Sequence, residues 1–203
     1  MCAFLVTMID MKSKKIVVIC GNPDHETFTG NALDTYQSAA EAAGHEVHRF
    51  NLGQMKYDPI LHKGYKEIQP LEPDLITLQA AILECDHIVI GYPNWWATMP
   101  ALLKGLFDRI WLPGFAFNFN KKTKKVEQHL IGKTARVFVF SGSHSAFKTW
   151  WKFGDFTNEI QYGILDFAGI KATVSIFGPC EHVKDMCRTK WMKEISALGT
   201  VAK

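Results

Sequence analysis

The run His87-Ile88-Val89-Ile90, followed at once by Gly91-Tyr92-Pro93-Asn94-Trp95-Trp96-Ala97-Thr98-Met99-Pro100, restricts this chain more than any other stretch. Its first four residues are short, mostly β-branched and bounded by turn residues, as a strand covered on both faces requires. Pro100 then sits where a first helical turn tolerates a missing N–H. Leu102, Leu103, Leu106, Phe107 and Ile110 recur at helical spacing until Pro113-Gly114 stops the run. A buried strand, an aromatic loop and an amphipathic helix in that order describe the carboxyl edge of an α/β sheet, where ligands dock. The Trp95-Trp96 pair is hard to satisfy internally, because neighbouring side chains diverge on a strand or turn and leave at least one indole without a packing partner. Hiding one such ring is worth about 4 to 6 kcal/mol, from roughly 150 to 250 Å² at about 25 cal/mol per Å². A flat ligand, an overlying loop or a subunit contact would each supply the cover.

The flanking chain repeats the strand-loop-helix pattern. Lys15 to Cys20 (KIVVIC) reads as a first buried strand and runs into the loop Gly21 to Asn31; a helix follows through Ala32, Leu33, Tyr36, Ala39, Ala40 and Ala43, with Gly44 just past its end. Thr27, Thr29 and Asn31 bring hydroxyls, an amide and free N–H groups to that helix start, a seat for a phosphate; a plain N-cap role for any one of them is the alternative. Glu46 to Leu52 alternates as an outer strand does, Gly53 to Glu72 reads as a long loop, and Pro73 to about Cys85 as a helix. Phe115, Phe117 and Phe119 alternate with polar or small residues, so a short hairpin arm is expected there, ahead of the cluster Lys121-Lys122-Thr123-Lys124-Lys125. Those rings serve the core or, on the resemblance given below, a wall over a ligand or a subunit contact. The lysines are a solvated tip, a membrane-attracted patch or a phosphate contact.

Ala135 to Phe140 is a further buried strand, and Ser141-Gly142-Ser143-His144-Ser145 is the loop at its carboxyl end, small enough for backbone N–H groups to approach a ring. His144 stands where a proton donor would be useful. Asp155 to Phe167 reads as a helix, Ala172 to Phe177 as the last strand and His182 to Leu198 as the closing helix. Five strands joined by right-handed helical crossovers give the order 2-1-3-4-5 with helices on both faces, and bring residues 22–31, 93–97 and 141–144 to one edge.

At 203 residues with 47% hydrophobic content, a single domain over 15–203 behind an extension over 1–14 is expected. No apolar run approaches the roughly 20 residues of a membrane span. Met1 to Asp10 lacks a basic leader, so no secretory signal is expected. Five scattered cysteines suit a reduced, cytoplasmic compartment, and a net charge of +3 gives no case for nucleic acid. The chain has no G-x-G-x-x-G, and Gly132-Lys133-Thr134 lacks the P-loop's first glycine because position 127 is Glu. Cys180-x-His182 with Cys187 has no fourth ligand at a standard spacing, so no metal is assigned, and no G-x-S-x-G elbow is present.

Pro93, Trp96, Pro100-Ala101, Leu103-Lys104-Gly105, Phe107, Arg109 and Gly114-Phe115-Ala116-Phe117 resemble the signature of the NAD(P)H:quinone reductase (DT-diaphorase-like) family of flavodoxin-like flavoproteins. The resemblance is thinner at Gly21-Asn22-Pro23-Asp24 and at Gly163 to Gly169. It implies an α/β, flavodoxin-like fold and an NAD(P)H dehydrogenase (quinone)-type oxidoreductase. In such an enzyme hydride passes in ping-pong fashion from NAD(P)H through a flavin, FMN before FAD, to a quinone-like acceptor, and the protein is a homodimer. On this reading Thr27, Phe28 and Thr29 hold the phosphate, and Asn22 is a further cofactor-binding residue. Pro93, Asn94, Trp95, Trp96 and Ala97 border the ring, with Trp96 stacking, and Ser141, Gly142 and Ser143 meet its pyrimidine edge, N–H groups of the last two facing the developing charge. The family's downstream Tyr and His do not transfer, because Ser145-Ala146-Phe147-Lys148-Thr149-Trp150-Trp151 contains no Tyr. The alternative within the resemblance is a flavin-binding regulatory subunit of a potassium-efflux transporter.

Overall fold

The computed structural model describes residues 12–142, 147–148, 151, 156–181 and 183–203. β1 (Lys15–Cys20) leads into α1 (Phe28–Ala42), β2 (Glu46–Asn51), α2 (Pro73–Glu84), β3 (His87–Asn94) and α3 (Ala101–Ile110). A hairpin of β4 (Phe117–Phe119) and β5 (Val126–Gln128) precedes β6 (Thr134–Ser141), a π-helical segment (Glu159–Leu165), β7 (Lys171–Phe177) and α4 (Asp185–Thr200). The main sheet is parallel in the order β2-β1-β3-β6-β7, which is the expected 2-1-3-4-5; β4 and β5 pair only with each other. Of the expected extension, 1–11 lies outside the described residues, while Ser13 Oγ donates to the Gly44 carbonyl (2.7 Å) and Lys14 Nζ to that of Ala202 (2.9 Å).

Strand alternation divides the core between the two faces of the sheet. Ile16, Val18, Val89 and Phe138 face α1 and α4, packing with Leu33, Tyr36 and Ile195. Val17, Ile19, Ile90 and Val139 face the other layer, with Leu78, Leu106 and Ile164. β3 continues through Pro93 for a reason of register. The Gly91 carbonyl points toward β1, where it accepts Gly21 N–H (2.8 Å), and the β1–β3 pairing ends at Cys20–Gly91. Two residues on, Pro93 faces the same way past the end of that pairing, where its missing N–H has no partner to lose.

The helix expected over 155–167 is instead a π-helical turn followed by a 3₁₀ turn (Asp166–Ala168) and Gly169 at φ +94°; residues 152–155 lie outside the described residues. The Trp111 indole N–H takes the Ile164 carbonyl (2.8 Å), and Ile170 N–H reaches back five residues to Leu165 (3.0 Å). A tertiary donor therefore occupies a carbonyl that a regular helix would use internally.

His87 is 1% exposed and shares a 2.7 Å hydrogen bond with Thr134 Oγ1. Burial, then the charges of Lys14, Arg136 and His45, push its pKa down from 6.5 to about 3. In this window the unfolded chain binds the proton and the folded chain does not, so stability is full above about pH 6.5 and falls as pH drops toward about 3. Denaturant titrations across that window should show a shallower pH slope for His87→Gln; an unchanged slope would remove His87 from the acid response.

Candidate active site

The loop after β1 is braced from within. Asn22, 7% exposed, donates from Nδ2 to Thr27 Oγ1 (2.9 Å) and accepts Asp24 N–H on Oδ1 (3.3 Å), while Thr27 Oγ1 donates to the Asp24 carbonyl (3.1 Å). The Thr27 hydroxyl proton is thus committed to the loop, and an anion here would meet backbone N–H groups instead. α1 starts at Phe28 with no side-chain cap and no acidic residue in its first turn. Its first N–H groups have no intrahelical acceptor, and the helix dipole adds partial positive charge. A Cβ on Gly30 would lie 1.7 Å from the His25 carbonyl oxygen, so the loop is laid directly on the helix start. Thr29 is buried there.

Sequence reasoning missed Arg188. Its guanidinium lies 5.7 Å from the centroid of the Phe28 ring and donates to the Cys180 carbonyl (3.1 Å), bringing a full positive charge to the same helix start. Phe28 is wedged edge-on between Phe140 and Trp191. The available signal was one basic residue early in the closing helix, which is too common to single out.

The loop after β3 closes on a two-residue turn. Trp95 N–H donates to the Thr98 carbonyl (3.0 Å) and Thr98 N–H returns to Trp95 (3.1 Å). Trp96 and Ala97 take φ of +55° and +65°, the left-handed pair of a type I′ turn that usually employs Asn or Gly. Both indoles emerge, Trp95 at 47% and Trp96 at 99% exposure. Beside them Pro93 and Asn94 are half-buried, and Asn94 Oδ1 is a buried acceptor with no hydrogen-bond partner among the described residues. Trp96→Gly should relieve about 1 kcal/mol of backbone strain and raise the Tm of the ligand-free monomer by about 2–4 °C. A fall in Tm would mean that the ring is covered in solution.

The loop after β6 is held by the segment that follows β7. Cys180 N–H donates to the Ser141 carbonyl (2.8 Å) and Glu181 N–H to that of Gly142 (3.1 Å); a Cβ on Gly142 would sit 2.6 Å from Glu181 Oε1. Ser141 is buried, and Ser143 and His144 lie outside the described residues. Because β1, β3 and β6 are adjacent and parallel, the three loops leave from one edge of the sheet. An uncapped helix start, a fully exposed indole and an orphaned acceptor fit a ligand that joins a phosphate to a flat, N–H-bearing ring. A flavin is such a ligand.

A cavity of about 710 Å³ opens beside this edge, between α3, the β4–β5 hairpin and the π-helical segment, lined by Phe107, Trp111, Phe119, Glu159 and Ile164 among others. It meets the Trp turn through Thr98 Oγ1, which donates to Glu159 Oε2 (2.7 Å), and does not reach the β1 loop. The Phe115–Phe119 arm divides accordingly. Phe117 is buried against Phe167, Phe115 is half-buried near Trp111, and Phe119 is 60% exposed.

A family model described as "Flavodoxin-like fold" matches residues 14–190. The ribosyldihydronicotinamide dehydrogenase (quinone) of Rattus norvegicus is 22% identical, with 93% of each chain covered. Among solved structures, an NAD(P)H:quinone oxidoreductase from Methanothermobacter marburgensis superposes with a TM-score of 0.79 at 22% identity, covering 94% of this chain and 100% of the other. An FMN-dependent NADH-azoreductase from Bacillus anthracis, in complex with FMN, gives 0.68 at 15%, covering 91% and 97%. The matched span takes in every strand of the sheet, whose order is that of the fold, and the chain belongs to the flavodoxin-like family.

Proposed function

We propose that this chain is an NAD(P)H:quinone oxidoreductase that works with a bound flavin, FMN before FAD, in a cytoplasmic homodimer. The observation that carries the reading is the fully exposed Trp96 beside the unpartnered Asn94 Oδ1, one sheet strand from an uncapped helix N-terminus. The names of the relatives support it, one a quinone-directed nicotinamide dehydrogenase and one solved with FMN.

First-turn N–H groups of α1 would hold the phosphate, with Asn22 and Thr27 fixing the loop, Phe28 and Thr29 forming the seat and Arg188 adding charge. Pro93 to Ala97 would line the ring, Trp96 lying flat on it and Asn94 Oδ1 accepting a ring N–H. Ser141, Gly142 and Ser143 would face its pyrimidine edge, where backbone N–H groups of Gly142 and Ser143 stabilise negative charge. His144 would deliver a proton to the acceptor. A bound flavin supplies two-electron transfer between a nicotinamide and a quinone that occupy one slot in turn, in ping-pong order. A second copy of the chain would cover the apolar face carrying Phe119, Trp95 and the adjoining cavity.

The test is the visible spectrum of the protein as isolated, followed by NAD(P)H oxidation with a water-soluble quinone after addition of FMN or FAD. Yellow protein with quinone-dependent turnover is expected. A colourless protein that neither flavin activates would end the reading.

A further inference from the structure

We propose that the tip of the β4–β5 hairpin is a docking surface for an anionic lipid bilayer. Lys121, Lys122, Lys124 and Lys125 fall within five residues, and positions 121–129 are all exposed. Of 23 Lys and Arg against 20 Asp and Glu, removing these four leaves 19 against 20, so the net positive charge of the chain resides in this one tip. Among the described residues none of the four lysines forms an ion pair.

The tip is built to hold its shape. Asn120 Oδ1 accepts the N–H groups of Lys122 (3.0 Å) and Thr123 (2.9 Å), and its carbonyl accepts Lys124 N–H (2.8 Å). Asn120 N–H closes on Lys125 O (2.9 Å), and Lys124 takes a left-handed φ of +56° to complete the turn. The nearby carboxylate, Glu127, is engaged by Asn120 Nδ2 at 2.7 Å.

The occupant follows from what lies below the lysines. Val126 on β5 and Ile131 just beyond it are 36% and 70% exposed, and neither lines the cavity beside α3. A small phosphate ligand needs a concave seat, and these lysines form an exposed tip that does not line the cavity beside α3. Nucleic acid or an acidic peptide would meet the charge and leave the apolar pair in water. A bilayer interface accepts both, cations against anionic headgroups and aliphatic groups at the acyl boundary. Binding does not depend on the redox assignment; only its use, bringing the site to lipid-soluble acceptors, rests on the function proposed above.

The full chain is sedimented with phosphatidylcholine vesicles with and without phosphatidylserine, over a salt series, beside a variant carrying Lys121→Gln, Lys122→Gln, Lys124→Gln and Lys125→Gln. At about fivefold per lysine, the variant should lose a hundredfold or more in partitioning to the anionic vesicles at low salt. Added salt should release the wild type, a readout that needs no variant. Turnover with a water-soluble quinone should be unchanged. Equal binding by variant and wild type, equal binding to neutral vesicles, or capture by short duplex DNA or an acidic peptide but not by vesicles would each overturn the proposal.

Discussion

Arg109→Met should lose about 3–5 kcal/mol of folding stability, read as a lower denaturant midpoint at an unchanged m-value. Arg109 is 1% exposed, and its guanidinium is divided among four acceptors. Nη1 donates to the Asp58 carbonyl and Glu72 Oε1, and Nη2 to the Pro70 carbonyl (2.8 Å) and Glu72 Oε2 (3.0 Å). Methionine would fill the space and strand a carboxylate and two carbonyls. Both carbonyls and the carboxylate lie in the chain 53–72, whose only regular pieces are short 3₁₀ turns, so this side chain ties Asp58 near one end to Pro70 and Glu72 at the other from inside α3. Burial alone would raise the Glu72 carboxyl, but Arg109 and the Asp58 N–H outweigh it and hold it below its usual range. The pair therefore contributes above the ordinary carboxylate pKa and is lost as pH falls through the depressed one, a dependence that Arg109→Met should erase. A loss under about 1 kcal/mol would show that the loop is anchored elsewhere.

Gly30→Ala should leave a folded protein that no longer retains flavin, with affinity down by about a hundredfold or more, of the order expected when a positioning element moves by about 1 Å. The added methyl would collide with the His25 carbonyl, which is backbone and cannot swing aside as a side chain end would. The loop from Asn22 to Thr27 must lift, and the N–H groups of α1 then no longer point into a shaped seat. Equilibrium dialysis against FMN and FAD measures this directly, with circular dichroism to confirm the fold. Retention equal to wild type would place the phosphate somewhere other than this helix start.

The sheet was legible because each strand is a run with one period. KIVVIC and ARVFVF are continuous because inner strands are covered twice, and EVHRFN alternates because β2 is an edge. The exposed indoles were legible too, from two large rings placed side by side. What escaped depends on distances that no local pattern encodes. Arg109 and Glu72 are 37 positions apart, Arg188 reaches Phe28 across the sheet edge, and Glu181 fastens Gly142 through backbone alone. The π-helical turn escaped because Trp111, 53 positions before Ile164, decides which carbonyl is free. Even Thr27 was misjudged in detail, since composition reveals a hydroxyl and not where its proton goes.

The lacing of Cys180 and Glu181 to the β6 loop, with Arg188 set over Phe28, makes two of the three edge loops depend on chain that lies beyond β7. A fragment cut after β7 would keep all five strands, yet its first loop would lack Arg188 and its third the backbone contacts of Cys180 and Glu181. On the function proposed above, such a fragment should show the sheet by circular dichroism and bind flavin more weakly than the full chain.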